Sequence, residues 1–290
     1  MIRTLSLTLT ALIAFAANSV LCRAALDAGA LQGAPPDAAA FTAVRLISGA
    51  AMLSLLLATR TPLGPALRGA QPVSALALLA YAGLFSLAYL DLDAGIGALI
   101  LFGAVQTSMF AGALMMGERP PAMRWVGAGC GLAGLGWLAA PGASAPPLMA
   151  SLMMAGAGAA WGVYSLRGRG SSRPLADTAG AFALAAPLAA ILWAIAWALD
   201  AAPGLGGREA ALAVASGAFA SGCGYAVWYA ALPRLEASMA AVAQLAVPLI
   251  ALAGGMAWLG EAPSPRFWTA AALILGGLGA ATLAVRRRAA

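Results

Sequence analysis

Long stretches without a charged residue alternate along this chain with short breaks that carry its arginines, acids and many of its prolines. The uncharged runs cover 4–22, 69–90, 94–117, 125–166, 178–199, 210–233, 237–260 and 267–285. About 20 apolar residues in helical conformation cross the hydrocarbon of a bilayer, so each run is long enough for a spanning helix. The run 125–166 is long enough for two, and Pro141-Gly142-Ala143-Ser144-Ala145-Pro146-Pro147 breaks it. The stretch 38–59 is a further span, interrupted only by Arg45. The pattern predicts an all-α integral membrane protein of ten transmembrane helices, with joining segments too short for a soluble domain.

Composition and charge sharpen this picture. Hydrophobic residues make up 62% and charged residues 9%, against roughly 25% charged in a soluble domain. The net charge of +6 is carried by arginine, with neither lysine nor histidine. With the N-terminus in the cytoplasm, alternation places Arg3, Arg60, Arg68, Arg119, Arg124, Arg167, Arg169, Arg173, Arg234, Arg286, Arg287 and Arg288 inside. Only Arg23, Arg208 and Arg266 fall outside. That is the positive-inside bias of a membrane protein rather than a nucleic-acid footprint. The expected location is a bacterial inner membrane with both termini cytoplasmic. Arg3, an apolar run and Ala14-Phe15-Ala16 imitate a signal peptide, but the duplication described next favours a retained first helix. Cys22, Cys130 and Cys223 lie far apart in sequence, with no metal-ligand spacing and no disulfide framework. No cofactor and no metal are expected.

The chain repeats itself. Gly117-Glu118-Arg119-Pro120 returns as Gly260-Glu261-Ala262-Pro263, 143 residues later. At the same offset Trp125 meets Trp268, Ala128 meets Ala271, Leu132 meets Leu275, and Gly134-Leu135-Gly136 meets Gly277-Leu278-Gly279. A weaker echo pairs Phe15, Asn18 and Arg23 with Trp161, Tyr164 and Arg169. The division predicted is a first five-helix repeat over 1–143 and a second over 144–290. Because five is odd, the second copy enters the membrane from the opposite side, an arrangement associated with alternating access around a mid-membrane site.

Ten apolar helices, two halves each ending in Gly-Glu-x-Pro before a Trp- and Gly-rich helix, and an aromatic-bearing first helix in each half resemble the drug/metabolite transporter superfamily, in its EamA-type branch. The resemblance spans the whole chain. It implies an exporter of small metabolites, and bacterial members of this branch include exporters of amino acids.

Polar and aromatic groups are scarce enough for their positions to carry information. Tyr81, Phe85 and Tyr89 recur every fourth residue and share one face of the third helix. Tyr225, Trp228 and Tyr229 do the same on the eighth, and Trp161 with Tyr164 on the sixth. Asn18, Gln106 and Gln244 are the amides deep in their spans. The expected site is a cavity with aromatic walls and a few hydrogen-bonding groups, drawn from Asn18, Tyr81, Tyr89, Gln106, Trp161, Tyr164, Tyr225, Trp228 and Gln244. Such a lining suits amphipathic solutes. Trp125, Trp137, Trp193, Trp197, Trp258 and Trp268 are assigned to the exterior. Arg45 either snorkels to an interface or serves as a gating or carboxylate-binding charge, with Asp91 and Asp93 as possible partners. Pro248, one turn beyond Gln244, is a candidate gating bend. Gly127 and Gly131, with Ala272, Gly276 and Ala280, provide small-residue stripes for packing the fifth helix on the tenth, or for a dimer face.

The partners expected are a small-molecule substrate (amino acids or related metabolites), the lipid bilayer, and no nucleic acid; the protein is a monomer or a homodimer. An intramembrane enzyme would need a nucleophile–base pair or metal ligands within the spans, and the sequence offers neither. The alternative transporter, an efflux pump for drugs or aromatic cations, calls for a carboxylate in the cavity. With no acid at mid-membrane and no histidine, transport is expected to be facilitative rather than driven by an obligatory proton.

Overall fold

A computed structural model describes residues 2–31, 36–64, 71–117, 119–142, 145–168, 171–199, 204–231, 234–235, 243–277 and 279–280. Glu118, Pro233, Arg68, Arg169, Arg286, Arg287 and Arg288 lie outside the described residues. Within them the chain is all-helical, with ten principal helices. These are α1 (Ile2–Leu31), α2 (Ala38–Ala58), α3 (Pro72–Ala88), α4 (Ala94–Met115), α5 (Ala122–Ala139), α6 (Leu148–Gly168), α7 (Pro174–Ala198), α8 (Gly207–Ala231), α9 (Val247–Leu259) and α10, which starts as Pro265–Ala271 and continues as Ala272–Gly276. Among the described residues, five are long and apolar enough to cross a membrane by length and composition: Ile2–Ala28, Ala38–Ala58, Ala94–Met115, Pro174–Ala198 and Gly207–Ala231.

The helix limits follow from local chemistry. α1 runs past the end of its uncharged segment at residue 22 because Arg23 pairs with Asp27 one turn on, at 3.2 Å. The same guanidinium donates to the carbonyls of Tyr89 and Leu90, at 2.9 Å each, and so meets acceptors left over at the C-terminus of α3. Asp37 caps α2, accepting from the Ala40 amide at 2.7 Å, and its other oxygen accepts from the Gly204 amide at 2.9 Å. The two motif glycines close α4 and α9 in the left-handed region, Gly117 at φ 82° and Gly260 at φ 69°. A side chain is strained in that conformation, and glycine is not.

α9 departs from the sequence expectation. A turn at Leu245–Ala246 precedes it, and Pro248 sits in its first turn, where its missing N–H costs no helical bond. Pro248 therefore begins a helix instead of bending one at mid-length. The middle of α8, Ala215–Cys223, and the ends of α9 (Gly255–Leu259) and α10 (Ala272–Gly276) are wound as π-helix.

The helices pack in pairs across the two halves of the chain. α2 lies on α7, and α5 lies on α10. α4 and α3 both pack on α6, while α9 and α8 both pack on α1. α2 also touches α8, and α3 touches α7. The α5–α10 contact uses the small residues of the repeated Gly-Leu-Gly. A methyl group at Gly134 would come within 2.6 Å of Ile274, and one at Gly277 would run into Cys130. A methyl group at Gly131 would meet no atom of the described residues within 4 Å. The core is walled by Phe41, Phe85, Tyr89, Phe182 and Phe267, all buried, together with Arg45. Trp125, Trp137, Trp197, Trp258 and Trp268 are exposed on the outside of the bundle, as expected of residues facing lipid or its interface. Trp193 is partly buried and packs against the core.

Candidate functional site

The same-face aromatics of α3, α6 and α8 converge on one another at the middle of the bundle. Tyr81 lies 4.8 Å from Trp161, centroid to centroid, and Trp161 stacks on Tyr225 at 5.5 Å and 20°. Phe15 of α1 closes the ring cluster from the other side, 5.7 Å from Tyr225 and 5.8 Å from Trp228. Phe182 of α7 and Tyr229 back it. A cavity of about 30 Å³ sits within this cluster, lined by Phe15, Asn18, Ser19, Tyr81, Phe85, Leu101, Phe102, Val105, Trp161, Tyr225 and Gln244. That space has room for a water or two. A wider cleft, about 260 Å³, opens at the end of the bundle between Asp91, Asp93, Pro146, Pro147 and Ser264.

Five of the residues singled out from sequence line the small cavity: Asn18, Tyr81, Trp161, Tyr225 and Gln244. Trp228 and Tyr164 belong to the ring cluster but stand behind its inner wall. Tyr164 donates to Thr178, which in turn donates to Tyr229, at 3.1 and 3.2 Å. This chain of hydroxyls ties α6, α7 and α8 together. Tyr89 is fully buried against Phe85 and donates to the Ala94 carbonyl at 3.3 Å, away from the cavity. Gln106 is partly buried on α4 and does not reach the cavity. Pro248 is buried at the start of α9.

The polar side of the cavity is held by buried hydrogen bonds. The Asn18 side-chain oxygen accepts from Ser216 at 2.8 Å and from Ser221 at 3.2 Å. Both serines are fully buried in the π-helical middle of α8. The five-residue spacing of those serines faces both hydroxyls toward Asn18 only because the helix is widened there. Sequence periodicity tuned to 3.6 residues does not pair them, so these two site residues were missed.

Arg45 does not snorkel. It is 2% exposed and lies against the back of the Tyr81–Phe85 wall. Its guanidinium carbon is 4.8 Å from the Phe85 ring centroid and 5.4 Å from that of Tyr81. Nη2 donates to the Tyr81 hydroxyl at 3.2 Å, whereas Nε and Nη1 have no hydrogen-bond partner among the described residues. Neither Asp91 nor Asp93 pairs with it; the ion pair found among the described residues is Arg23–Asp27.

The second Gly-Glu-x-Pro has a definite structural use. Asp93 stands at the cap position of α4 but makes no side-chain capping bond. Glu261, arriving from the α9–α10 connection, takes its place. Its two oxygens accept from the amides of Ala94, at 2.5 Å, and Gly95, at 3.2 Å. A carboxylate at a helix N-terminus meets both free donors and the positive end of the dipole. Partial burial pushes the Glu261 carboxyl above the usual carboxylate range, and the two amide bonds pull it partway back. Gly255 leaves room for it, since a side chain there would run into the carboxylate.

Residues 148–283 match the EamA-like transporter family. The chain is 49% identical over 280 residues to a curated protein of Pseudomonas aeruginosa, "Uncharacterized protein PA1977", covering 95% of this chain and 93% of that one. A solved crystal structure, described only as that of a protein, superposes with a TM-score of 0.62 at 25% identity, over 96% of this chain and 97% of the other.

Proposed function

We propose, for a chain that belongs to the EamA-like transporter family, that it exports small amphipathic metabolites, amino acids above all, by alternating access. Family membership makes the protein a multi-pass membrane transporter and not an enzyme. The finer reading rests chiefly on one observation: a small cavity with aromatic walls and the amides Asn18 and Gln244, at the meeting of helices from both halves of the chain. Rings suit the apolar part of such a solute, and amides and hydroxyls suit its polar part. The packing supports the inverted-repeat reading. Exchanging α1–α5 with α6–α10 turns α4–α6 into α9–α1, α3–α6 into α8–α1, and α2–α8 into α7–α3, all of which are observed contacts. α2–α7 and α5–α10 map onto themselves, as elements on a pseudo-twofold axis must. On this reading 1–143 and 144–290 are the two repeats, both termini are cytoplasmic, and Glu261 closes the outer end.

The test is uptake into proteoliposomes across the amino acids, with nucleosides and aromatic cations as competitors, with and without a proton gradient. Amino acids are expected to enter down their own gradient when the proton gradient is collapsed. Flux of cations alone favours the drug-efflux alternative, flux of no compound overturns the exporter reading, and flux only with a proton gradient overturns the facilitative one.

A further inference from the structure

Among the described residues, Arg45 is a fully buried ion with hydrogen-bonding capacity left over. Its guanidinium offers five N–H groups in a planar fork. Of its three nitrogens, one has a hydrogen bond, to Tyr81, and the other two have no partner among the described residues. The ring faces of Phe85 and Tyr81 contribute attraction but no acceptor. No carboxylate of the described residues pairs with it. A buried ion without a counter-ion is among the costliest arrangements in an apolar interior. An arginine kept for structure would be expected to tie neighbouring carbonyls together, as Arg23 does at the end of α3. Arg45 ties none. The backbone around it is also crowded: α8 passes so close at Gly217 that a side chain there would strike the Arg45 carbonyl. The guanidinium itself lies on the far side of Tyr81 and Phe85, the two rings that separate it from the cavity they line, so a solute reaches it where those rings give way.

We infer that Arg45 is the anion-recognition group of the cavity: it pairs with a single carboxylate of the transported solute, whose apolar part lies against Tyr81, Trp161 and Tyr225. This rests on the transporter reading above and narrows its substrate class. A guanidinium fork matches one carboxylate in a bidentate pair. One buried positive charge balances one negative charge, so a monocarboxylate is preferred over a dianionic phosphate, which would keep an uncompensated charge. The lining carries no acid among the described residues, so a solute with only a positive charge meets the repulsion of Arg45 with no carboxylate to offset it. The ammonium of an amino acid has the ring faces and the amide oxygen of Gln244 to meet it.

The experiment uses the full chain in proteoliposomes and compounds that share one ring but differ in head group: L-phenylalanine, 3-phenylpropionate, phenylalanine methyl ester, phenethylamine and phenyl phosphate. A parallel leucine series consists of L-leucine, 4-methylpentanoate, leucine methyl ester and isoamylamine. The two carboxylates of a series are expected to compete for flux roughly tenfold to a hundredfold better than its ester and amine, the range of one charge-assisted bond. Arg45→Met is expected to abolish that preference and to melt no lower than the wild type without substrate, because it removes an unpaired buried charge. Arg45→Lys keeps the charge and is expected to restore part of the preference. Equal flux of acid, ester and amine overturns the inference and leaves the exporter reading standing. Preference for the phosphate overturns the monocarboxylate assignment. Flux of no member of either series overturns both readings. Melting of Arg45→Met well below the wild type, with the preference retained in Arg45→Lys and in the Arg45→Met protein that stays folded, marks Arg45 as structural.

Discussion

Arg45 and Glu261 are both ionisable groups drawn into an apolar bundle, and the structure treats them in opposite ways. Both oxygens of Glu261 are met by the amides that open α4, and Gly255 clears the space it needs. Arg45 is more deeply buried, yet two of its three nitrogens are without acceptors among the described residues. A charge whose bonding capacity is filled by the protein holds the protein together. A charge left unfilled beside a cavity is available to something that enters it. The repeated Gly-Glu-x-Pro, conspicuous in the sequence, thus caps a helix in its second copy, and the more specific chemistry is what we propose for the unrepeated Arg45.

The contrast can be sharpened by substitution. The largest effect is expected at the cavity wall. Trp161→Ala removes the ring that bridges Tyr81 and Tyr225, and flux per folded protein should fall at least about tenfold, while Trp161→Phe keeps most of it. A next effect belongs to the polar side. Asn18→Ala strands the hydroxyls of Ser216 and Ser221, which should cost about 1–3 kcal/mol in a denaturation series. Glu261→Ala is expected to cost about 0.5–2 kcal/mol, the usual worth of a helix cap. Gly255→Ala should expel the same carboxylate, so the double variant should be scarcely worse than either single one. Additive losses would show that Glu261 and Gly255 act separately. A cost of similar size, about 1–2 kcal/mol, is expected for Gly260→Ala, from its left-handed backbone; the same loss is expected at Gly117.

The helices were legible in the sequence because charge is excluded from a spanning segment, and runs such as 94–117 and 178–199 mark α4 and α7 closely. The i, i+4 spacing of Tyr81, Phe85 and Tyr89 put them on one face but could not say which end of that face meets the cavity. Tyr81 and Phe85 line the space, whereas the Tyr89 hydroxyl donates to the Ala94 carbonyl at the start of α4. Gln106 was chosen for its depth in a span, and depth does not determine azimuth around a helix axis. The extension of α1 depends on Arg23 reaching carbonyls 66 and 67 residues away, and the cap on α4 comes from a residue 167 positions from Ala94. No local pattern encodes such partners. The environment of Arg45 is of the same kind, since Tyr81 and Phe85 belong to another helix and its lack of a counter-ion is a property of the assembled bundle.

The most direct measurement is to take thermal stability and amino-acid counterflow together on Arg45→Met and Glu261→Ala in proteoliposomes. The account predicts a crossing: Arg45→Met keeps or raises the melting temperature and loses carboxylate-selective flux, while Glu261→Ala lowers the melting temperature and keeps the selectivity. The reverse crossing, with Arg45→Met destabilised but selective and Glu261→Ala stable but unselective, would contradict it.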